Sequence, residues 1–142
     1  MNLVKMVNIF NCNRDGVIVN LEKELDDLII DVNVKYLAKN IDETYELLKY
    51  KIFNFKRLEL SVDAKHSYFK INEIQKMQLT IISAEIGFNH SLLINVCNET
   101  VIKGKLFIWS SYNNDIKIYD QRNKEIEYKT FNDICDGNKI VV

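Results

Sequence analysis

Few residues in this chain are of a type that could carry chemistry. Two histidines, His66 and His90, and three cysteines, Cys12, Cys97 and Cys135, are the whole complement of imidazole and thiol groups in its 142 residues. A cysteine nucleophile needs a base to take its proton and a donor for the oxyanion, so the pairing to consider is Cys97 with His90 or His66. Cys97 falls between Val96 and Asn98 on a predicted strand, where a cysteine packs, and no nucleophile elbow accompanies it. The four glycines are scattered, which excludes a glycine-rich phosphate loop, and neither H-E-x-x-H nor H-x-H occurs. The cysteines are odd in number, far apart and without C-x-x-C spacing, which argues against a disulfide framework and a zinc site alike. They are expected as buried free thiols, and no catalytic, metal or cofactor set is expected.

Carboxylates concentrate in "NLEKELDDLIID", where Glu22, Glu24, Asp26, Asp27 and Asp31 are opposed only by Lys23. Grouped carboxylates can hold a hard cation or divide into acid and base, but those uses need further oxygen ligands or a partner group from elsewhere, and there is no D-x-D-x-D-G loop. The plain reading is a solvated strand entry. The functional one is an acidic patch that docks a basic protein surface, with Asp26, Asp27 and Asp31 as its steering charges.

Aromatic residues are the remaining candidates. "YKIFNFKRLELSVD" sets Phe53 and Phe55 between Lys51 and Arg57, a superficial likeness to the aromatic strand of the RNA-recognition-motif family. That strand wants glycine at Ile52, a small residue at Asn54 and valine at Lys56, and its domain needs two long helices on a four-stranded sheet. A bulge or turn near Asn54 and Lys56, redirecting Phe53 or Phe55 into the core, accounts for the pattern better. Aromatics flanked by arginine also make protein contacts. "FIWSSYNND" ends an apolar strand in Trp109 and Tyr112 beside a polar turn, which suits either a core edge or an adaptable recognition loop. Trp109 and Tyr112 are the candidate anchors.

The elements that would position these residues are mainly strands. Period two is clearest in "LIIDVNVKYLAK", which puts Leu28, Ile30, Val32, Val34, Tyr36 and Ala38 on one face and Asp31, Asn33, Lys35 and Lys39 on the other. Further strands are expected over Leu3 to Phe10, Val17 to Leu21, Leu47 to Phe53, Leu58 to Val62, Met77 to Ile86, Leu92 to Asn98, Val101 to Trp109 and Ile116 to Tyr119. "VIKGKLFIW" is apolar on both faces from Leu106 to Trp109, as a central strand covered by a helix or a second sheet would be. Short polar joints such as "NRDG", "GFNHS" and "CNET" favour an antiparallel meander. Residues 41–52 read as a strand after a turn, although Ile41, Tyr45, Leu48 and Ile52 also fit a helical stripe behind an Asp42 cap. In "HSYFKINEIQKM" neither period wins. "TFNDICDGN" predicts a short C-terminal helix that begins near Thr130, packs Phe131 against Ile134 or Cys135 and stops at Gly137.

One domain over residues 1–142 is expected, a β-rich α+β or all-β fold with a mainly antiparallel curved sheet or sandwich. Nineteen basic and twenty acidic residues nearly cancel, so no overall field draws the chain to phosphate backbones, and nucleic acid is not expected as a partner. Asn8 and Asn11 interrupt the apolar residues of the N-terminus, which does not read as a signal peptide, and the other apolar runs are too short to span a bilayer. A cytoplasmic location without membrane attachment follows.

In size, in its lack of proline, in its richness in Ile, Asn and Lys, and in its β patterning over the whole length, the chain resembles the small immunity proteins that bacteria pair with polymorphic or contact-dependent toxins. The resemblance implies a non-catalytic protein that neutralises a cognate toxin by covering its active site or an essential surface. The alternatives are a small β-barrel that holds a ligand inside, and an enzyme whose acid and base lie far apart in sequence.

Overall fold

The structure is a computed structural model and describes residues 2–63, 65–111 and 115–138. Its described residues form one ten-stranded curved antiparallel sheet and four helices, the last of them short and C-terminal, so the fold is β-rich α+β as the patterning implies.

The chain opens with a helix, not the strand its apolar residues suggest. In α1 (Leu3–Cys12) the buried residues are Leu3, Met6, Ile9 and Phe10, while Val4 faces solvent. Steps of three and four select one helical face. Apolar residues also stand at Val4 and Val7, so the sequence fits a period of two as well. β1 (Val17–Glu24) and β2 (Asp27–Asn33) form a hairpin. The alternation of β2 ends earlier than predicted, because the Val34 carbonyl accepts from the amides of Leu37 and Ala38 and starts α2 (Lys35–Ala38). Leu37 and Ala38 are therefore both buried and Tyr36 turns outward, 43% exposed.

After an Asp42 turn, whose carboxylate accepts from the Thr44 amide and hydroxyl, come β3 (Leu47–Ile52) and β4 (Phe55–Val62). The ambiguous stretch beyond contains both periods in succession, β5 (His66–Tyr68) and then α3 (Ile71–Lys76). β6 (Thr80–Gly87) and β7 (Ser91–Cys97) are joined by the single 3-10 turn Phe88–His90. β8 (Gly104–Ser110) starts three residues later than predicted, because Asn98 Oδ1 accepts from the Thr100 and Val101 amides and holds the preceding residues in a turn. β9 (Ile116–Tyr119), β10 (Glu125–Ile126) and α4 (Tyr128–Cys135) complete the chain. α4 starts two residues before Thr130, with Glu127 as its N-cap residue, and ends ahead of Gly137 at φ +89°.

The sheet order is β10-β9-β3-β2-β1-β6-β7-β8-β4-β5. β3 and β4 stand six places apart in that order yet are separated only by Phe53 and Asn54, a span of at most roughly 10 Å. The sheet must therefore coil back on itself. β3 and β4 act as one long strand bent at 53–54, with β9 paired to the first part and β8 to the second: Ile52 pairs with Ile116 on one side of the bend and Phe55 with Ser110 on the other. At the opposite side the two halves of the sheet meet at the pair Val17 and Thr80.

The space between the halves is filled by side chains. α1 packs on β6 and β7, α3 on β1 and α4 on β9. Phe10, Tyr50 and Phe131 meet at centroid separations of 5.3 and 6.1 Å. Tyr50 is fully buried, and its hydroxyl donates at 2.8 Å to Asn13, whose amide in turn donates to the Ile9 carbonyl at 2.8 Å. A buried polar pair thus closes the end of α1 and ties it to β3.

Candidate functional site: an aromatic and arginine surface

β8 is a central strand, and its two faces do different work. Leu106 and Ile108 point into the main core, whereas Phe107 and Trp109 join Leu93 of β7 in a second cluster on the other face. The register places Leu93 beside Phe107, Phe107 beside Glu59, and Trp109 beside Arg57. No helix or second sheet covers this cluster among the described residues. The described side chains that lie over it are Phe88, from the turn between β6 and β7, and Arg57 of β4. Asn89 and His90 both adopt positive φ, 52° and 55°, and fold the chain back over the sheet. Ser91 Oγ donates to the Phe88 carbonyl at 2.8 Å and holds the turn closed. Gly87 precedes it because a Cβ there would come within 3.1 Å of Leu93 Cβ and 3.2 Å of Phe107 Cδ1.

Phe88 lies edge-on to Phe107 at 4.9 Å and to Trp109 at 5.4 Å, while Phe107 and Trp109 stack at 5.7 Å. The Arg57 guanidinium sits 3.9 Å above the Trp109 ring, a cation–π geometry. Trp109 is left 7% exposed and Phe88 53%. The surface therefore presents Phe88 and Arg57, and Trp109 is the platform beneath them. Trp109 Nε1 is buried with no hydrogen-bond partner among the described residues, an uncommon state for an indole N–H. Beside the cluster is an open basin of about 640 Å³ lined by Phe88 and Phe107 and by the charges of Glu59, Asp63, Lys103 and Lys105.

The acidic residues occupy the β1–β2 hairpin. Leu25, at φ 56° and 89% exposed, marks its tip beside exposed Asp26. Asp27 accepts from the Asn54 amide at 3.1 Å and lies 3.7 Å from Lys51 Nζ, which also stands 4.0 Å from Glu24. Asp31 is half-buried, accepts from Asn20 Nδ2 at 3.1 Å and pairs across the ladder with Lys49. Burial raises its carboxyl above the usual carboxylate range.

The bend brings the hairpin to the aromatic surface. The Asp26 carbonyl accepts from the Phe55 amide at 2.8 Å, and Phe55 is paired with Ser110, next to Trp109. Asp26, Asp27 and Trp109 thus gather at one end of the sheet. Asp31 lies further along β2, engaged within its own sheet. Tyr112 lies outside the described residues. Both phenylalanines of the "KIFNF" stretch are half-buried: Phe55 packs against the core, and Phe53 lies under Lys51 and Lys117, 5.6 and 5.8 Å from its centroid.

The fold keeps Cys97 apart from both histidines. His90 and Cys97 flank β7 at opposite ends, roughly 20 Å from each other, and His66 is three ladder positions from Val96, roughly 14 Å. Among the described residues no three of His, Cys, Asp and Glu converge as a metal set, and no helix is long and apolar enough to cross a membrane. No family model, curated protein or solved structure matches the chain.

Sequence reasoning passed over Phe88 and gave Phe107 no role beyond its strand. The available signal was "GFNHS", an exposed-type turn that carries a phenylalanine directly after the glycine that lets it lie flat.

Proposed function

We propose that this protein is a non-catalytic protein-binding module of the immunity or antitoxin type, acting in the cytoplasm by covering the active site or an essential surface of a cognate toxin. The observation that carries the reading is Phe88, half-exposed over Phe107 and Trp109 and flanked by Arg57. A pre-packed aromatic with an arginine beside it is the composition of an interface anchor, because the rings already lack rotamer freedom and little entropy is lost on binding. Asp26 and Asp27 at the same end supply the charge that would steer a basic partner toward it.

The small-ligand alternative gains less from the fold. The volume enclosed by the sheet is taken up by α1 and by Phe10, Tyr50 and Phe131.

The test is affinity capture of the tagged protein from lysate of its own source, with wild type, Phe88→Ala and Asp26→Asn/Asp27→Asn run in parallel. A stoichiometric partner that harms cells when expressed alone, is held by wild type and is lost from Phe88→Ala supports the proposal. A partner held equally by all three variants moves the interface elsewhere, and the absence of any protein partner refutes the reading.

A further inference from the structure

α1 and α4 pack side by side, and their contact can be followed turn by turn. Asn8 Nδ2 donates to Tyr128 Oη at 2.7 Å and to Asn132 Oδ1 at 3.0 Å. One turn further along each helix, four residues from Asn8 and three from Asn132, stand Cys12 and Cys135, on the same faces as those contacts. Their thiols meet in a hydrogen bond, and both side chains are half-buried at the rim of the core.

The α2 region clamps the backbone at both cysteines. Tyr36 Oη donates to the Cys12 carbonyl at 2.9 Å and also to the Arg14 carbonyl, and Asn40 Nδ2 donates to the Ile134 carbonyl at 3.2 Å. The helix ends are thereby held with the two cysteines facing one another across the α1–α4 contact, the arrangement in which a disulfide of roughly 2.05 Å can close.

We propose that Cys12 and Cys135 form a reversible intramolecular disulfide by exchange with a small-molecule disulfide of the oxidised-glutathione class, locking α4 to α1. The two thiols are suited to different steps. The hydrogen bond from Cys135 lowers the pKa of Cys12, whereas that bond and burial hold Cys135 protonated above the ordinary thiol range. Cys12 as thiolate attacks one sulfur of the oxidant, whose S–S bond breaks and releases one small thiol. Cys135 then gives up its proton and attacks the Cys12 sulfur of the mixed disulfide, releasing the second. Two protein thiols and one small disulfide become one protein disulfide and two small thiols, and excess reduced thiol reverses both steps. Cys97, on β7 opposite Thr80, takes no part.

The experiment is incubation of the purified full-length protein with excess oxidised glutathione, alkylation of the remaining thiols, and intact-mass and peptide mapping. The expected product has lost two hydrogens, carries a Cys12–Cys135 linked peptide and an alkylated Cys97, and returns to three alkylated cysteines after dithiothreitol. Because the bridge closes a loop of more than a hundred residues, its melting temperature should exceed that of the reduced protein by about 10 °C. Cys135→Ser should stop at a stable glutathione adduct on Cys12. Three alkylated cysteines after oxidation, a persistent adduct on wild-type Cys12, or a bridge that includes Cys97 would overturn the proposal. A linked product that melts no higher than the reduced form would refute the locking.

Discussion

Phe88→Ala tests whether one exposed ring organises the aromatic surface. Phe88 is 53% exposed, so about half the transfer free energy of a phenylalanine is at stake, about 1 kcal/mol. Its edge-on contacts with Phe107 and Trp109, at 4.9 and 5.4 Å, add about 0.5 kcal/mol or more each. The substitution should therefore destabilise the fold by about 2 kcal/mol, a fall of roughly 6 °C in melting temperature for a chain of this size. Trp109 is the single tryptophan, which makes its emission a direct report on the site. Removing the cover admits water to the indole, so the emission maximum should move to longer wavelength and acrylamide quenching should rise, while the urea midpoint falls without a change in slope. Ile102→Ala, at a residue 73% exposed and seven positions from Trp109, is the control and should leave emission unaltered. If Phe88→Ala leaves both emission and midpoint at their wild-type values, Phe88 does not cover Trp109 and the assignment of the surface fails. In a partner complex the same change should weaken binding by on the order of 2 kcal/mol, about thirtyfold.

Tyr50→Phe removes the hydroxyl that donates to Asn13 Oδ1 at 2.8 Å and leaves a buried acceptor unpaired, which should cost about 1 to 2 kcal/mol in urea denaturation. Asn13→Ala should cost more, about 3 kcal/mol, since it also strands the Ile9 carbonyl, and the double variant should fall short of the sum; strict additivity would show that the pair is not coupled. Gly16→Ala would bring a Cβ within 2.7 Å of Val32 Cγ1 and 2.9 Å of the Asn13 carbonyl oxygen, so calorimetry should show about 2 kcal/mol of destabilisation, and an unchanged melting point would contradict the packing at the α1–β1 turn. Asp31 has its carboxyl raised by burial, so the native state binds the proton more tightly than the unfolded chain, and this group makes stability fall as pH rises from the unfolded value through the raised native one. Asp31→Asn should accordingly gain on wild type near neutrality and lose that advantage below the usual carboxylate range. Parallel urea midpoints across that interval would refute the assignment.

The β-rich class, the hairpins and the C-terminal helix were legible in the sequence because they rest on local patterns. Alternation of Leu28, Ile30 and Val32 requires one buried face of a strand, and Phe131 with Ile134 before Gly137 describes one turn of amphipathic helix and its end. Where apolar residues are dense, as in "NLVKMVNIF", both periods fit, and the choice of helix for α1 was made by the space between the sheet halves that it fills. The run from Asn33 to Ala38 kept its alternation on paper, but the backbone turned at Val34.

The sequence by itself determined which residues are apolar, where the acidic stretch lies, and that thiols and imidazoles are few and far apart along the chain. Tertiary structure decided which of them meet. Coiling of the sheet carried the Asp26–Asp27 tip to the bend beside Trp109, put Phe88 over Trp109 from 21 residues away and Arg57 from 52, and brought Cys12 against Cys135 from opposite ends of the chain. The physical reason is that periodicity reports the environment of one residue relative to its neighbours, whereas a site is a coincidence of residues whose separation is set by strand order and register, and these are fixed only when the whole core closes.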